Sequence, residues 1–211
     1  MILTVFGATG MVGKRIVTQA RMMGHTVKAF GRNVESLIDV DLNDSSLQAI
    51  KGYIFEERDV LNAIIGSDAV ISVLGGSFDG QDKTRSLGIK NIVTQMKTAG
   101  VTRIVALGGL GVLNADDQTL IIDTPEYPEE YEPVGREHLK AYEYLKASEC
   151  NWTFVCPPDI LDSDATGTYQ TNKNYPPHPG KGSITAGDLA TFMLLQLTDT
   201  RFTNARVGIS H

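Results

Sequence analysis

Cysteine is scarce in this chain: two in 211 residues, Cys150 and Cys156, both in one short apolar segment. Thiols so close together cannot staple a fold, and neither has histidine or cysteine neighbours at metal-ligand spacing, so no metal is assigned and both read as reduced core groups. Basic runs are missing as well. With 19 Lys and Arg against 25 Asp and Glu, a net charge of −6 leaves no electrostatic footprint for nucleic acid. No apolar run approaches the length of a bilayer span, and residues 2–6 open directly in strand-like sequence, with no basic leader or cleavage site. The expectation is a cytoplasmic protein with neither nucleic-acid nor membrane partners.

Glycine, in contrast, occurs 21 times, and 42% hydrophobic content suffices to bury the core of one domain over residues 1–211. Apolar strand runs alternate with helical periodicity, which is the pattern of a parallel sheet wrapped by helices. Strands are expected at residues 2–6, 25–30, 47–51, 68–74, 103–107 and 152–156. Between them fall a helix striped by Val12, Ile16, Val17 and Ala20 and closed at Gly24, and a short helix at 34–38. A third carries Glu57, Val60, Leu61, Ile64 and Ile65 and stops at Gly66. A fourth is striped by Ile89, Ile92, Val93 and Met96 and ends at Gly100. A long loop follows from Gly108 through the acidic PEYPEEYEP at 125–133, then helices at 137–147 and 186–197. Residues 157–211 read as a small C-terminal addition forming a lobe on the substrate side. The fold class is a Rossmann-type, doubly wound α/β sheet.

The stretch GATGMVG at residues 7–13 lies between the first strand and the first helix. In such a turn Gly7 permits the sharp bend, Gly10 lets backbone approach a pyrophosphate, and Gly13 lets helix pack on strand. The helix N-terminus then offers free N–H groups and a positive dipole end to the phosphates. At the end of the second strand, where an NAD site carries Asp or Glu, the sequence reads Gly31-Arg32-Asn33. A carboxylate is absent and a guanidinium is present, so NADP(H) is preferred over NAD(H).

Taken in order, GATGMVG, GRNVESL, IGSDAVISVLGG, RIVALGG, WTFVCPPDI and ITAGDLATFML resemble the atypical short-chain dehydrogenase/reductases, the NAD(P)H-binding flavin reductase and biliverdin-IXβ reductase-like family. The resemblance covers nearly the whole chain. It implies that Gly7, Thr9, Gly10, Met11 and Val12 cradle the phosphates, that Arg32 meets the adenosine phosphate, and that Leu74, Gly75 and Gly76 lie along the ribose. Pro157 belongs to the same cofactor-binding set. Where the family has Gly-Asp after the third strand this chain has Gly52-Tyr53, so Tyr53, with Ile54, is expected beside the adenine. Asp59 then falls inside the following helix and reads as a solvated residue.

Typical short-chain dehydrogenases use a serine after the fifth strand and a tyrosine four residues before a lysine. A literal match exists at Tyr142 and Lys146, but the family register puts the lysine at Lys140 and the tyrosine position at Arg136, while Gly108 and Gly109 stand at the serine position. Tyr142 therefore reads as packing. Carbonyl reduction without a positioned proton donor forgoes a general-acid contribution of about a hundred- to ten-thousand-fold. A flavin takes hydride into a delocalised ring and its proton from solvent, so a small planar substrate over Gly108 and Gly109 is expected. His138 and Lys140 are the catalytic candidates, and His138 also counts, with Asp159, as substrate-binding. Histidine titrates near neutrality, so His138 stands either as proton donor or as a surface residue of a first helical turn. Asp159, where the family has a second histidine, disfavours an anionic tetrapyrrole. Two functions remain: an NADPH-dependent reductase acting on flavins or similar acceptors, and a non-catalytic NADP(H) sensor of the NmrA-like type. The 125–133 loop is a lid or a partner surface.

Overall fold

The computed structural model describes residues 1–37 and 45–211. In chain order it builds β1 (Ile2–Phe6), α1 (Met11–Met22), β2 (Thr26–Gly31), β3 (Leu47–Lys51), α2 (Glu57–Ile64), β4 (Ala69–Ser72), α3 (Thr84–Ala99), β5 (Arg103–Leu107) and α4 (Glu132–Ala147). There follow β6 (Asn151–Cys156), β7 (Asp159–Leu161), β8 (Gln170–Lys173), β9 (Ser183–Thr185), α5 (Ala186–Leu195) and β10 (Ala205–Ser210). Eight strands form one sheet in the order β3-β2-β1-β4-β5-β6-β10-β8, all parallel except β8, which runs antiparallel to β10. β7 and β9 make a separate two-stranded sheet. The expected doubly wound, Rossmann-like sheet with a small C-terminal addition is therefore present.

A strand alternates its side chains between faces, and the central strands are apolar on both. Leu3 and Val5 of β1, Ile71 of β4, Val105 of β5, Val155 of β6 and Val207 of β10 face one way, into a layer with α1 and α5. Phe6, Val70, Ile104, Ala106, Phe154 and Cys156 face the other way, against α2, α3 and α4. Burial on both faces is what a parallel sheet demands. Thr4, on the second face, satisfies its buried hydroxyl by donating to the Ala63 carbonyl at 2.8 Å, with Ser67 Oγ at 2.7 Å.

Several boundaries differ from the expectation. α4 begins at Glu132 rather than 137, because Pro133 occupies the first turn, where a missing N–H costs nothing, and Glu132 complements the helix dipole. The preceding segment is not featureless. It contains 3-10 turns at Leu110–Val112, Ile121–Asp123 and Glu129–Tyr131. The helix expected at 34–38 is a 3-10 turn, Val34–Leu37, and residue 38 lies outside the described residues. β4 is shorter than 68–74, and Ile65, read as part of the α2 stripe, is exposed at the end of that helix. Within residues 157–211, β10 and β8 extend the main sheet.

The start of α5 is fixed by a buried carboxylate. Asp188 is fully buried and accepts hydrogen bonds from the Gly167 N–H (2.8 Å), the Thr166 N–H (3.0 Å) and the Thr166 and Thr185 hydroxyls (2.8 Å each), with His211 Nε2 at 3.1 Å. Burial pushes its carboxyl up, but these hydrogen bonds outweigh that and hold it well below its ordinary value of 3.8. The group thus binds its proton more weakly folded than unfolded, so its stabilisation is complete above about pH 4 and fades as pH falls further. Asp188→Asn should cost about 2 kcal/mol at neutral pH, measured as a lowered urea midpoint. The gap to the parent should narrow below about pH 4; a gap constant with pH would assign the loss to packing instead.

Candidate functional site

The turn after β1 brings three backbones into contact. Gly7 has φ +84°, and a Cβ there would lie 2.4 Å from the Val73 carbonyl oxygen; one on Gly13 would lie 2.1 Å from the Gly7 oxygen. A side chain at either position would force α1 away from β1 and β4. Gly10 meets only the Gly7 oxygen, at 3.4 Å, so its missing side chain leaves space in front of the helix. It is the N-cap of α1, no side chain caps it, and no acidic residue stands in the first turn, so the helix end remains an anion-accepting surface.

From this turn a cavity of about 1230 Å³ runs along the C-terminal ends of the strands. Single small-molecule sites span roughly 300–1,000 Å³, and this cavity lies above that range. Gly7, Thr9, Gly10, Met11 and Val12 line its middle, Arg32, Tyr53 and Ile54 its β2–β3 end, and Leu74, Gly75 and Gly76 the edge of β4. Gly108, Gly109, His138, Pro157 and Asp159 line its β5–β6 end. Every candidate but one is gathered here. Lys140 is the exception: it is exposed, does not line the cavity, and has its Nζ 3.7 Å from Glu137 Oε1. The helical spacing carries it past the cavity wall, which corrects its assignment as a catalytic residue.

At the β2–β3 end Tyr53 is 58% exposed. Its N–H donates to Asp59 Oδ2 at 3.0 Å, so Asp59 is not merely solvated but pins the Gly52-Tyr53 turn from α2. Gly52 is needed there, since a Cβ would lie 2.5 Å from the Phe30 ring.

At the β5–β6 end the two glycines are bare for packing reasons. A Cβ on Gly108 would meet Phe154 at 2.6 Å and Cys156 Sγ at 2.9 Å; one on Gly109 would meet the His138 ring at 2.9 Å. The imidazole thus stands where a side chain at 109 would go. Its Nδ1 is buried without a hydrogen-bond partner. Burial, reinforced by the nearby Arg85 charge, pushes His138 down to about 3. It is neutral at physiological pH, and the titration near neutrality expected for it is corrected: it can hydrogen-bond, but it does not carry a proton to donate as imidazolium. Burial likewise pushes the Cys156 thiol up to about 12, so it stays protonated behind Gly108.

Three residues of this end escape sequence reasoning. Arg85, 7% exposed, lines the cavity and donates to the Gly76 and Ser77 carbonyls at 3.0 Å, fixing the turn after β4. Glu137, 2% exposed, accepts from Ser86 Oγ at 2.5 Å and Lys83 Nζ at 3.0 Å, tying α4 to the start of α3 beside His138. Burial pushes its carboxyl up, and these two partners more than reverse the shift. Tyr127 wedges between Gly111 and Gly135, where Cβ atoms would lie 2.9 and 2.6 Å from its ring and hydroxyl. Signals existed for two of them. A basic residue in the first turn of α3 opposes the helix dipole, and Gly135 inside α4 weakens that helix unless something packs against it.

Tyr142 and Lys146 line a different hollow of about 530 Å³, together with Trp152 and Arg206. The Tyr142 ring packs edge-on to Trp152 at 5.7 Å, with the Arg206 guanidinium 4.9 Å from its centroid. That is the packing role the register assigned to it. Among the described residues no three His, Cys, Asp or Glu side chains gather as metal ligands, and no helix is long and apolar enough to cross a membrane.

A strand–glycine turn–helix at the head of a doubly wound sheet, opening on a long cavity, defines a nicotinamide-dinucleotide-binding protein. The chain belongs to the NAD(P)H-binding family, whose profile matches residues 7–200. It is similar to an uncharacterised protein of Bacillus subtilis, 29% identical over 225 residues that cover 99% of this chain and 98% of that one. Among solved structures, a protein of Burkholderia pseudomallei provisionally called exported is 28% identical, covers all of both chains and superposes with a TM-score of 0.85. A Streptococcus pneumoniae protein provisionally called an NADH-flavin reductase is also 28% identical, with TM-score 0.81 over 100% of this chain and 99% of that one. The resemblance read from the motifs holds at the level of the family.

The neutral state of His138 is directly measurable. Its ring nitrogens, followed by long-range ¹H–¹⁵N correlation, should show no protonation shift between about pH 5 and 8, where an unperturbed histidine would titrate. A midpoint inside that range would restore its standing as an acid.

Proposed function

We propose that the chain is an NADPH-dependent reductase that passes a hydride to a flavin or a similar planar acceptor. The observation that carries this reading is the cavity, which runs from the glycine turn to Gly108 and Gly109, where neither the serine nor the tyrosine of typical short-chain dehydrogenases stands. Gly7, Thr9, Gly10, Met11 and Val12 hold the phosphates, Arg32 the 2′-phosphate, Tyr53 and Ile54 the adenine, and Leu74, Gly75 and Gly76 the ribose. Pro157 borders the nicotinamide. When bound, the reduced cofactor supplies a hydride and leaves as NADP⁺; the acceptor gains that hydride and one solvent proton. His138, uncharged, hydrogen-bonds the acceptor rather than protonating it. Residues 1–211 form a single dinucleotide-binding domain, in which 157–211 contribute Pro157, Pro158 and Asp159 to the substrate side. Both thiols are free and buried, in keeping with a cytoplasmic protein.

The missing serine and tyrosine suit a non-catalytic NADP(H) sensor of the NmrA-like type equally, and turnover separates the two. Anaerobic mixing of the protein with NADPH and either riboflavin or an uncharged quinone should deplete the nicotinamide absorbance in proportion to protein. Tight NADPH binding with no oxidation by any planar acceptor would replace the reductase with the sensor.

Cofactor choice rests on Arg32. Losing charge-assisted hydrogen bonds to one phosphate costs about 1.5–3 kcal/mol, or roughly ten- to a hundredfold in Kd. Calorimetry should find that loss for NADPH with Arg32→Ala and little change for NADH. Equal losses would mean that Arg32 does not read the 2′-phosphate.

A further inference from the structure

The charges around the acceptor end of the cavity are unevenly compensated. Asp162 lies 2.9 Å and Asp164 3.7 Å from the Arg15 guanidinium; Asp123 and Glu132 lie 2.8 and 3.2 Å from that of Arg136. These four acids share two guanidinium partners, and none lines the cavity. Glu126 and Asp159 do line it, and among the described residues neither has an ion-pair partner. Of the lining cations, Arg32 is at the opposite end. Arg85 donates from both terminal nitrogens to the Gly76 and Ser77 carbonyls, and its charge is offset by Asp82, a third lining carboxylate beside it. His138 is neutral. The remaining walls of this end are apolar or aromatic: Leu110, Ile121, Tyr127, Tyr131 and Pro158.

An apolar slot whose only uncompensated charges are two carboxylates repels an anion and accepts a flat ring. On the basis of the reductase reading above, we infer that Glu126 and Asp159 act as a charge filter, so that the acceptor is a planar ring bearing no negative charge. Phosphorylated flavins and carboxylate-bearing tetrapyrroles are selected against. The two filter residues come from separate elements, the loop before α4 and the start of β7. Both side chains are exposed, and their effect is therefore a screened, long-range one.

Riboflavin and FMN test this cleanly, since they share one ring and differ by a phosphate. Titrating the protein saturated with NADP⁺ and reading flavin fluorescence quenching gives binding without turnover. At low ionic strength riboflavin should bind about tenfold more tightly than FMN, and the ratio should fall toward one at about 0.5 M salt. The double variant Glu126→Gln, Asp159→Asn should close the gap at low salt by improving FMN. Equal affinities, tighter FMN, or a ratio unmoved by both salt and the variant would overturn the filter; the salt series needs only the parent protein, so a variant that fails to fold does not rescue it. The expected charge preference with no NADPH oxidation would leave the filter standing and remove the reductase. Failure of both flavins and of an uncharged quinone to bind would remove both.

Discussion

Everything at the cofactor face depends on how closely backbone packs around Gly7. The Gly10 N–H donates to the Gly7 carbonyl at 3.1 Å, Gly13 rides over it, and Gly7 itself lies against the Val73 oxygen. Neither Gly7 nor Gly13 tolerates a Cβ there. The contact fixes the first turn of α1 above the ends of β1 and β4, and with it the direction in which the free N–H groups of that turn point. Because the sheet is packed on both faces, the strand ends cannot shift to compensate. The floor of the cavity is thus set by main chain, and side chains decide what rests on it.

At the other end of the cavity, three ionisable side chains are spent on holding the walls. His138 is uncharged because it is buried beside an arginine, and Arg85 is occupied with carbonyls. Glu137 faces α3, where Ser86 and Lys83 hold it. Each of these groups is ionisable in principle, and each is used to hold the walls. Such a site favours chemistry in which the reacting partners carry their own electronic machinery and the protein contributes orientation and exclusion of competing geometry.

The sheet and the phosphate turn were legible because they rest on local, repeated signals. The continuous apolar runs of β1, β4, β5 and β6 and the spacing of Gly7, Gly10 and Gly13 both survive in the folded chain. Lys140 and His138 were harder for different reasons. Lys140 was placed by register alone, and a helix turns 100° per residue, so two positions separate a wall residue from a solvent-facing one. The neutrality of His138 comes from desolvation and from Arg85, which is distant in sequence. Asp59 was misread because its partner, the Tyr53 N–H, is main chain and leaves no mark in the residue pattern. The start of α4 was hidden by prolines that suggest a loop until one of them is seen in a first helical turn.

The position of β10 has a consequence for how the protein is made. β6 ends at Cys156, yet the strand that pairs with its free side begins only at Ala205. During synthesis the sheet from β3 to β6 can assemble while β6 still presents a row of unpaired N–H and C=O groups, and every residue of β10 becomes buried once it docks. For that interval the nascent chain carries an adhesive edge next to a nearly finished dinucleotide site. The half-made protein is therefore the form most exposed to mispairing with its neighbours on a polysome, and chaperone attention to it should be concentrated on β6.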